Sequence, residues 1–209
     1  MTVHFHKGDL PADVDLGKTI AVDTETQGLS LVRDKLCLVQ LSSGDGDAHI
    51  VQMNRETYDA PNLKKMLSNP EVETLYHFAR FDVAILKRDL GIDLGSIFCT
   101  KIASGLVRTY TDRHGLKDIC KELLNVDLSK QQQSSDWASD ELSEAQLNYA
   151  ASDVLYLHQL KTILSARLLR EKRYDMAKAC FDFLPTRAAL DLGGWHDVDI
   201  FSHRMRRAD

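Results

Sequence analysis

The alternation of apolar and polar residues predicts a sheet in the first half of the chain. A short, partly β-branched apolar run at residues 18–25 indicates a buried strand. A second apolar run covers residues 36–42, and a glycine-rich turn at residues 44–47 separates it from a third at residues 49–52. We therefore expect an antiparallel meander of three strands, followed by a fourth strand at residues 72–77.

Helical spacing of apolar residues appears from residue 61 onward. Pro61 suits the first turn of a short helix around residues 63–67. A second helix is expected from about residue 79 to residue 90, where Gly91 would end it. Beyond residue 97 the pattern is mostly helical, so helices are expected to flank the sheet.

The longest predicted helix begins near Ser143. Ser143 and Gln146 have the spacing of a capping box, and the apolar positions continue at helical intervals as far as Ile163. No repeat or linker divides the chain. The pattern as a whole predicts a single α/β domain over residues 1–209, with a mixed sheet that contains an antiparallel meander and is flanked by helices.

Composition narrows the classes of function. The chain has 209 residues, 44% of them hydrophobic and 27% charged, and a formal net charge of −5. It has no apolar stretch of roughly 20 residues and no signal-peptide core, so we expect a cytoplasmic protein without a membrane partner. The four widely spaced cysteines predict reduced, buried thiols. The acidic balance favours a short nucleic-acid substrate over a long duplex.

The candidate chemistry lies in four carboxylates and a tyrosine. Asp23 and Glu25 alternate along a strand and so share a face, whereas Tyr149 and Asp153 share a face of a helix. Asp82 lies in an apolar segment, where a carboxylate needs a partner. Clustered carboxylates suit hard divalent cations, and the combination predicts a two-metal phosphodiester hydrolase. Tyr149 either orients the attacking water or is a core aromatic.

Three segments that carry these residues resemble the exonuclease motifs of the DEDD superfamily of 3′–5′ exonucleases. They are Val22–Leu29, His77–Asp82 and Tyr149–Asp153. Because the third segment carries Tyr149, it resembles the motif of the tyrosine branch of this superfamily. The resemblance implies a ribonuclease H-like exonuclease fold and two divalent ions, Mg²⁺ or Mn²⁺. It implies that the metal ligands are Asp23, Glu25, Asp82 and Asp153, and that these four and Tyr149 are catalytic.

Further segments, at residues 115–119, 128–131 and 134–137, are similar to ribonuclease D, so the resemblance covers about residues 18–165. The short chain that carries these motifs, and the aromatic segment at about residues 180–209, resemble the compact nanoRNase C group. That resemblance implies hydrolysis of short single-stranded RNA, especially dinucleotides, to nucleoside 5′-monophosphates by a homo-oligomer, a ring-shaped octamer. The final segment would then pack on the core or form an interface.

Three alternatives remain open from the sequence. The protein could trim longer structured RNA 3′ ends as ribonuclease D does, although the chain ends soon after the exonuclease motifs. It could act on DNA, because no residue can be assigned to the 2′-hydroxyl group. It could also be an inactive exonuclease fold that serves as a binding module, although none of the expected catalytic residues is missing.

The same resemblance implies substrate contacts next to the first two motifs. Thr26, Gln27 and Gly28 would bring backbone groups close to the terminal nucleotide. Leu29 would be an apolar wedge between the two terminal bases, or else a core residue. His77 would contact the scissile phosphate or a metal-bound water, or else be an ordinary hydrogen-bonded histidine.

Two further features have alternative interpretations. Trp137 is expected to be buried scaffold, with base stacking as the alternative. The basic end formed by Arg204, Arg206 and Arg207 is either a solvated tail or a phosphate contact across a subunit interface.

Overall fold

Six strands form one mixed sheet in the computed structural model, which describes residues 1–129 and 131–203. The strands are β1 (Val3–Lys7), β2 (Thr19–Thr26), β3 (Leu36–Ser42), β4 (Ala48–Gln52), β5 (Glu73–Tyr76) and β6 (Ser96–Cys99). In the order in which they lie in the sheet, they are β1, β4, β3, β2, β5 and β6. Neighbours β2–β3 and β3–β4 are antiparallel, and β1–β4, β2–β5 and β5–β6 are parallel.

The expected meander is therefore confirmed as β2, β3 and β4, and β5 is the expected fourth strand. Every residue of β3 is buried, which places it in the centre of the core. The sequence analysis missed both edge strands. Strand β1 alternates apolar residues with His and Lys, and β6 has only four residues, so neither gives a strong periodic signal.

Helices cover both faces of the sheet. Two of them continue into π-helical turns: α2 into Leu86–Leu90 and α7 into Asp191–Trp195. The helices are α1 (Pro61–Leu67), α2 (Ala79–Ile85), α3 (Thr100–Val107), α4 (Leu116–Leu124), α5 (Glu144–Leu155), α6 (Leu157–Arg170) and α7 (Tyr174–Leu190).

Two predicted helix ends are confirmed and one is wrong. Gly91 ends the second predicted helix in the left-handed conformation, and Ser143 accepts a hydrogen bond from the Gln146 backbone N–H in a capping box. The helix from Ser143 does not reach Ile163, because the chain bends at Tyr156 and Ile163 belongs to α6. Apolar spacing reports which face is buried and does not report a bend between two helices that bury the same face. The longest of the described helices is α7, with 17 residues.

The C-terminal segment packs partly on the core. Phe181 and Leu184 of α7 are buried, whereas Trp195 and Phe201 remain exposed. The Arg204, Arg206 and Arg207 cluster lies outside the described residues, so its predicted role is untested.

The cysteines are free, as expected, but only three are buried. Cys37, Cys99 and Cys120 lie in the core, and Cys180 is exposed on α7, so the expectation of four buried thiols is wrong at this position. The described part of the chain contains no helix that is long and apolar enough to cross a membrane.

Candidate active site

The predicted catalytic residues converge at the carboxyl ends of the parallel strands, which form one edge of the sheet. Strands β2, β5 and β6 are parallel, so their carboxyl ends lie together, which is where open α/β sheets place ligands. Asp23 and Glu25 extend from β2, and α5 brings Asp153 to them. One carboxylate oxygen of each of these three residues lies within 4.8 Å of the other two. A β-bulge between Glu25 and Thr26 ends the regular pairing with β3 beside this cluster.

Asp82 is the most deeply buried member of the group. It lies in the first turn of α2 with only 4% of its surface exposed. The Thr24 hydroxyl donates a hydrogen bond of 2.7 Å to Asp82 Oδ1. Burial raises the pKa of Asp82 to about 7, although the hydrogen bond from Thr24 opposes the increase.

Burial and mutual repulsion raise the pKa values of the other three carboxyl groups. The pKa of Asp23 is held well above its usual range by burial and then by Asp82, Asp153 and Glu25. Burial, Asp153 and Asp82 raise the pKa of Glu25 to about 9, and burial and Asp82 raise that of Asp153 to about 7. The four groups cannot all be ionised at neutral pH without added positive charge. An oxygen-only donor set of this charge fits hard divalent cations such as Mg²⁺ and Mn²⁺.

Tyr149 lies one helical turn before Asp153 on α5. Burial, Asp153, Glu25 and Asp23 all raise the pKa of its hydroxyl group, so Tyr149 remains a neutral hydrogen-bond donor at physiological pH. Its ring stacks on Trp137, with 6.0 Å between the ring centroids and 30° between the ring planes. Trp137 is buried, as expected for scaffold. Eleven residues lie between Trp137 and Tyr149, and Trp137 lies outside any periodic segment, so the sequence analysis did not connect the two rings.

Two hydrogen bonds from the end of β4 and the residues that follow it hold the segment that carries Trp137. The Gln52 side-chain amide donates a hydrogen bond of 3.0 Å to the Ser139 carbonyl oxygen. The Arg55 guanidinium donates one of 2.8 Å to the Ala138 carbonyl oxygen. These contacts hold the backbone directly after Trp137, whose buried ring packs against Tyr149.

The residues expected to contact the terminal nucleotide follow directly after the carboxylates. Thr26 Oγ1 donates a hydrogen bond of 2.5 Å to the Gly28 carbonyl oxygen. Gly28 has no room for a Cβ atom, because the Asp34 carboxylate approaches it closely. Gln27 is exposed and Leu29 is 87% exposed, so the core-packing alternative for Leu29 is wrong. Its role as a wedge stays a prediction.

His77 lies at the end of β5, and its Nδ1 atom is 2.9 Å from Thr100 Oγ1. Burial, with smaller effects of Lys101 and His114, lowers the pKa of His77 to about 3. The histidine is therefore a neutral, hydrogen-bonded residue at physiological pH, and its contact with the scissile phosphate stays a prediction.

A cleft with charged groups of both signs, which the sequence did not reveal, opens next to Gln27. It has a volume of about 800 Å³, and its charged lining includes Lys7, Lys35 and Arg55 as well as Glu56 and Asp140. These residues come from four separate segments with no shared motif, so only the folded chain brings them together.

Comparison with known proteins supports the interpretation of the chain as a member of an exonuclease family. A family model described as 3′–5′ exonuclease matches residues 9–169. Among solved structures, Brucella melitensis NrnC with bound Mg²⁺ is 54% identical, covers 98% of this chain and 100% of its own, and superimposes with a TM-score of 0.93. Brucella melitensis NrnC bound to pGG is 55% identical with the same coverage and a TM-score of 0.94.

A curated relative, ribonuclease D of Acidiphilium cryptum, is 33% identical over 156 residues. The match covers 75% of this chain but only 39% of that protein, so the chain spans about two-fifths of such relatives. The fold class, an α/β exonuclease fold of the ribonuclease H-like type, is confirmed by the sheet order and by these matches. The chain belongs to the DEDD superfamily of 3′–5′ exonucleases, in its ribonuclease D-like group.

Proposed function

We propose that this protein is a metal-dependent 3′–5′ exoribonuclease that hydrolyses short RNA, dinucleotides above all, to nucleoside 5′-monophosphates. The observation that carries the proposal is the convergence of Asp23, Glu25 and Asp153 within 4.8 Å, beside the buried Asp82. The match to NrnC over all of that chain, in a structure that holds pGG, supports the choice of a dinucleotide.

In this proposal Asp23, Glu25, Asp82 and Asp153 hold two Mg²⁺ or Mn²⁺ ions. Such ions activate the attacking water and stabilise the leaving oxygen of a phosphodiester. Tyr149, which keeps its proton, hydrogen-bonds and orients that water. The fixed stacking on Trp137 limits the movement of the Tyr149 ring.

The substrate contacts follow from the loop after β2. Thr26, Gln27 and Gly28 face the 3′-terminal nucleotide with backbone groups. Leu29, which is 87% exposed, inserts between the last two bases, and His77 contacts the scissile phosphate as a neutral hydrogen-bonding group. A ring-shaped octamer in the cytoplasm completes the proposal; the molecular mass in solution tests the assembly, and cell fractionation tests the location.

The decisive experiment measures kcat/KM with Mg²⁺ or Mn²⁺ on single-stranded RNA of two to twenty nucleotides. We expect the highest value for the dinucleotide and products that are released from the 3′ end as nucleoside 5′-monophosphates. Asp153→Ala is expected to abolish hydrolysis. Asp182→Ala, which removes an exposed carboxylate of α7, is the control and should leave kcat/KM unchanged. A strong preference for the twenty-mer would sink the dinucleotide assignment.

A second candidate is ribonuclease D-type trimming of longer RNA. The ribonuclease D relatives and the cleft beside Gln27 favour it, because Lys7, Lys35 and Arg55 offer positive charge for a longer backbone. The same length series separates the two functions. A matched DNA series tests the sugar specificity, since a DNA-directed exonuclease would hydrolyse DNA faster than RNA and an enzyme without sugar specificity would hydrolyse both equally.

A further inference from the structure

A smaller cleft lies at the carboxyl ends of β5 and β6, on the same sheet edge as the carboxylates. Its volume is about 240 Å³, and it opens next to the start of α2, which carries Asp82 one turn later. This volume suits a single ring system rather than a helix or strand of a partner protein. The cleft is lined by Phe78, Arg80, Cys99, Lys101, Ile102 and His114.

Phe78 has an unusual conformation at this cleft. It precedes the first residue of α2 with φ 70° and ψ 42°, the left-handed region that bulky side chains rarely adopt. It is also 45% exposed, so burial of the ring does not explain the conformation. Strained backbone of this kind concentrates at functional sites, which makes the exposed ring a candidate ligand contact.

A positive charge accompanies the ring. Lys101 Nζ lies 4.0 Å from the centroid of the Phe78 ring, which is within cation–π distance. Proteins that bind single-stranded nucleic acid combine an aromatic platform for a base with a cation for the backbone. The pairing of Phe78 and Lys101 has this composition.

The sheet order indicates which nucleotide would reach the cleft. Asp23 and Glu25 lie on β2, which has β3 on one side and β5 on the other. The loop assigned to the 3′-terminal nucleotide leads from β2 to β3, whereas Phe78 follows β5. The carboxylates therefore lie between the loop and Phe78, as the scissile phosphate must lie between two nucleotides.

We propose that Phe78 is the stacking platform for the base on the 5′ side of the scissile bond, and that Lys101 fixes its ring and adds positive charge there. This inference rests on the proposed function and names a binding subsite for the same substrate. If a partner protein occupied the cleft instead, the effect of substituting Phe78 would not depend on the presence of that base.

The test compares two RNA dinucleotides, one intact and one with an abasic ribose in the 5′ nucleotide. Phe78→Gly is expected to raise KM for the intact substrate by about 5- to 150-fold, the range for loss of one stacked base, with kcat nearly unchanged. For the abasic substrate, the variant and the wild type should have the same KM. Phe78→Tyr, which keeps an aromatic ring, should restore most of the affinity.

Stability provides a readout that separates binding from folding. Because glycine adopts φ 70° without strain, Phe78→Gly should melt at the same temperature as the wild type or higher. Lys101→Met should raise KM less than Phe78→Gly and weaken its dependence on salt. Leu169→Ala, which removes an exposed apolar side chain from α6, is the control and should change neither KM nor the melting temperature.

Two results would overturn the subsite. One is an unchanged KM of Phe78→Gly for the intact dinucleotide, and the other is an equal loss on the intact and abasic substrates. Either result, with normal wild-type hydrolysis, refutes the subsite and leaves the proposed function intact. Failure of the wild type to hydrolyse any RNA would instead refute the proposed function.

Discussion

Asp191 connects the helix of the second motif to the C-terminal segment, and its removal gives a quantitative test of that connection. The Asp191 side chain is 1% exposed and accepts hydrogen bonds from two guanidinium groups. Arg80, two residues before Asp82, donates bonds of 2.6 and 2.7 Å, and Arg187 of α7 donates bonds of 3.0 and 2.5 Å. Asp191→Ala therefore leaves two arginines without their shared carboxylate.

The expected loss of stability follows from the exposure of these groups. Breaking a buried ion pair costs about 3–5 kcal/mol when the remaining charge stays buried. The Arg80 and Arg187 side chains are 37% and 18% exposed, so water partly replaces the lost carboxylate. We expect a decrease of about 2–3 kcal/mol in the free energy of unfolding, which lowers the melting temperature by about 4–12 °C for a chain of this length.

The assay is urea and thermal unfolding with a matched control on the same helix. Asp182→Ala breaks the exposed Lys178–Asp182 pair, in which both side chains are more than 60% exposed, and should change stability by less than about 1 kcal/mol. An equally small change for Asp191→Ala would refute the assignment of the buried network as a stabilising connection.

The pH dependence of the free energy of unfolding provides a second, independent test of this connection. Burial acts to raise the pKa of Asp191, but the hydrogen bonds from Arg80 and Arg187 hold it below its usual value. A carboxyl group whose pKa is lower in the folded state stabilises the protein above its unfolded pKa of about 3.9, and this contribution is lost as pH falls through the folded value. The difference between wild type and Asp191→Ala should therefore be largest near neutral pH and shrink below about pH 4.

Three further predictions concern the active site. Tyr149→Phe should lower kcat by about 100-fold or more while Mg²⁺ still raises the melting temperature as in the wild type, because the phenol is assigned to the water and not to the metal; equal kcat values would contradict that role. The pKa values of Glu25, about 9, and Asp153, about 7, exceed their unfolded values, so the contribution of these two groups to the stability of metal-free protein is most favourable below about pH 4 and is lost as pH rises toward the folded values. Mg²⁺ added to chelator-treated protein should hence raise the melting temperature more at pH 8 than at pH 5, and a reversed order would contradict the carboxylate site. Gln40→Met should raise the free energy of unfolding by about 1 kcal/mol, since no described residue hydrogen-bonds its buried amide, whereas Gln52→Met should lower it; urea titration measures both, and a loss for Gln40→Met would contradict the reasoning.

The sequence analysis identified Asp82 and Asp23 as candidate metal ligands because each breaks a local rule. Asp82 interrupts an apolar helix, and Asp23 lies within a buried strand, so both are unfavourable unless a partner compensates. Their position on one sheet edge then follows from parallel strands. Burial explains why the central strands were also predictable, whereas β1 and β6 lie at the edges, where the pattern is mixed or short.

The features that the sequence did not predict depend on contacts between distant segments. No propensity favours a left-handed phenylalanine, and only the turn between β5 and α2 places Phe78 in that conformation. Trp137 meets Tyr149 because Gln52 and Arg55 hold its segment, and these donors precede it by more than 80 residues. Such pairings have no sequence period, so pattern analysis cannot detect them.

These features share an energetic character that explains why they occur together. The clustered carboxylates, the left-handed Phe78 and the Gln40 amide, to which no described residue hydrogen-bonds, each destabilise the folded chain in the absence of ligand. Such groups persist where the surrounding structure holds them and where they serve binding or catalysis. Gln40 lies opposite Asp23 in the pairing of β3 with β2, so the unfavourable free energy is concentrated near the clustered carboxylates. Substitutions that stabilise this edge are thus expected to weaken substrate or metal binding, whereas substitutions at Asp191 should weaken the fold that holds it.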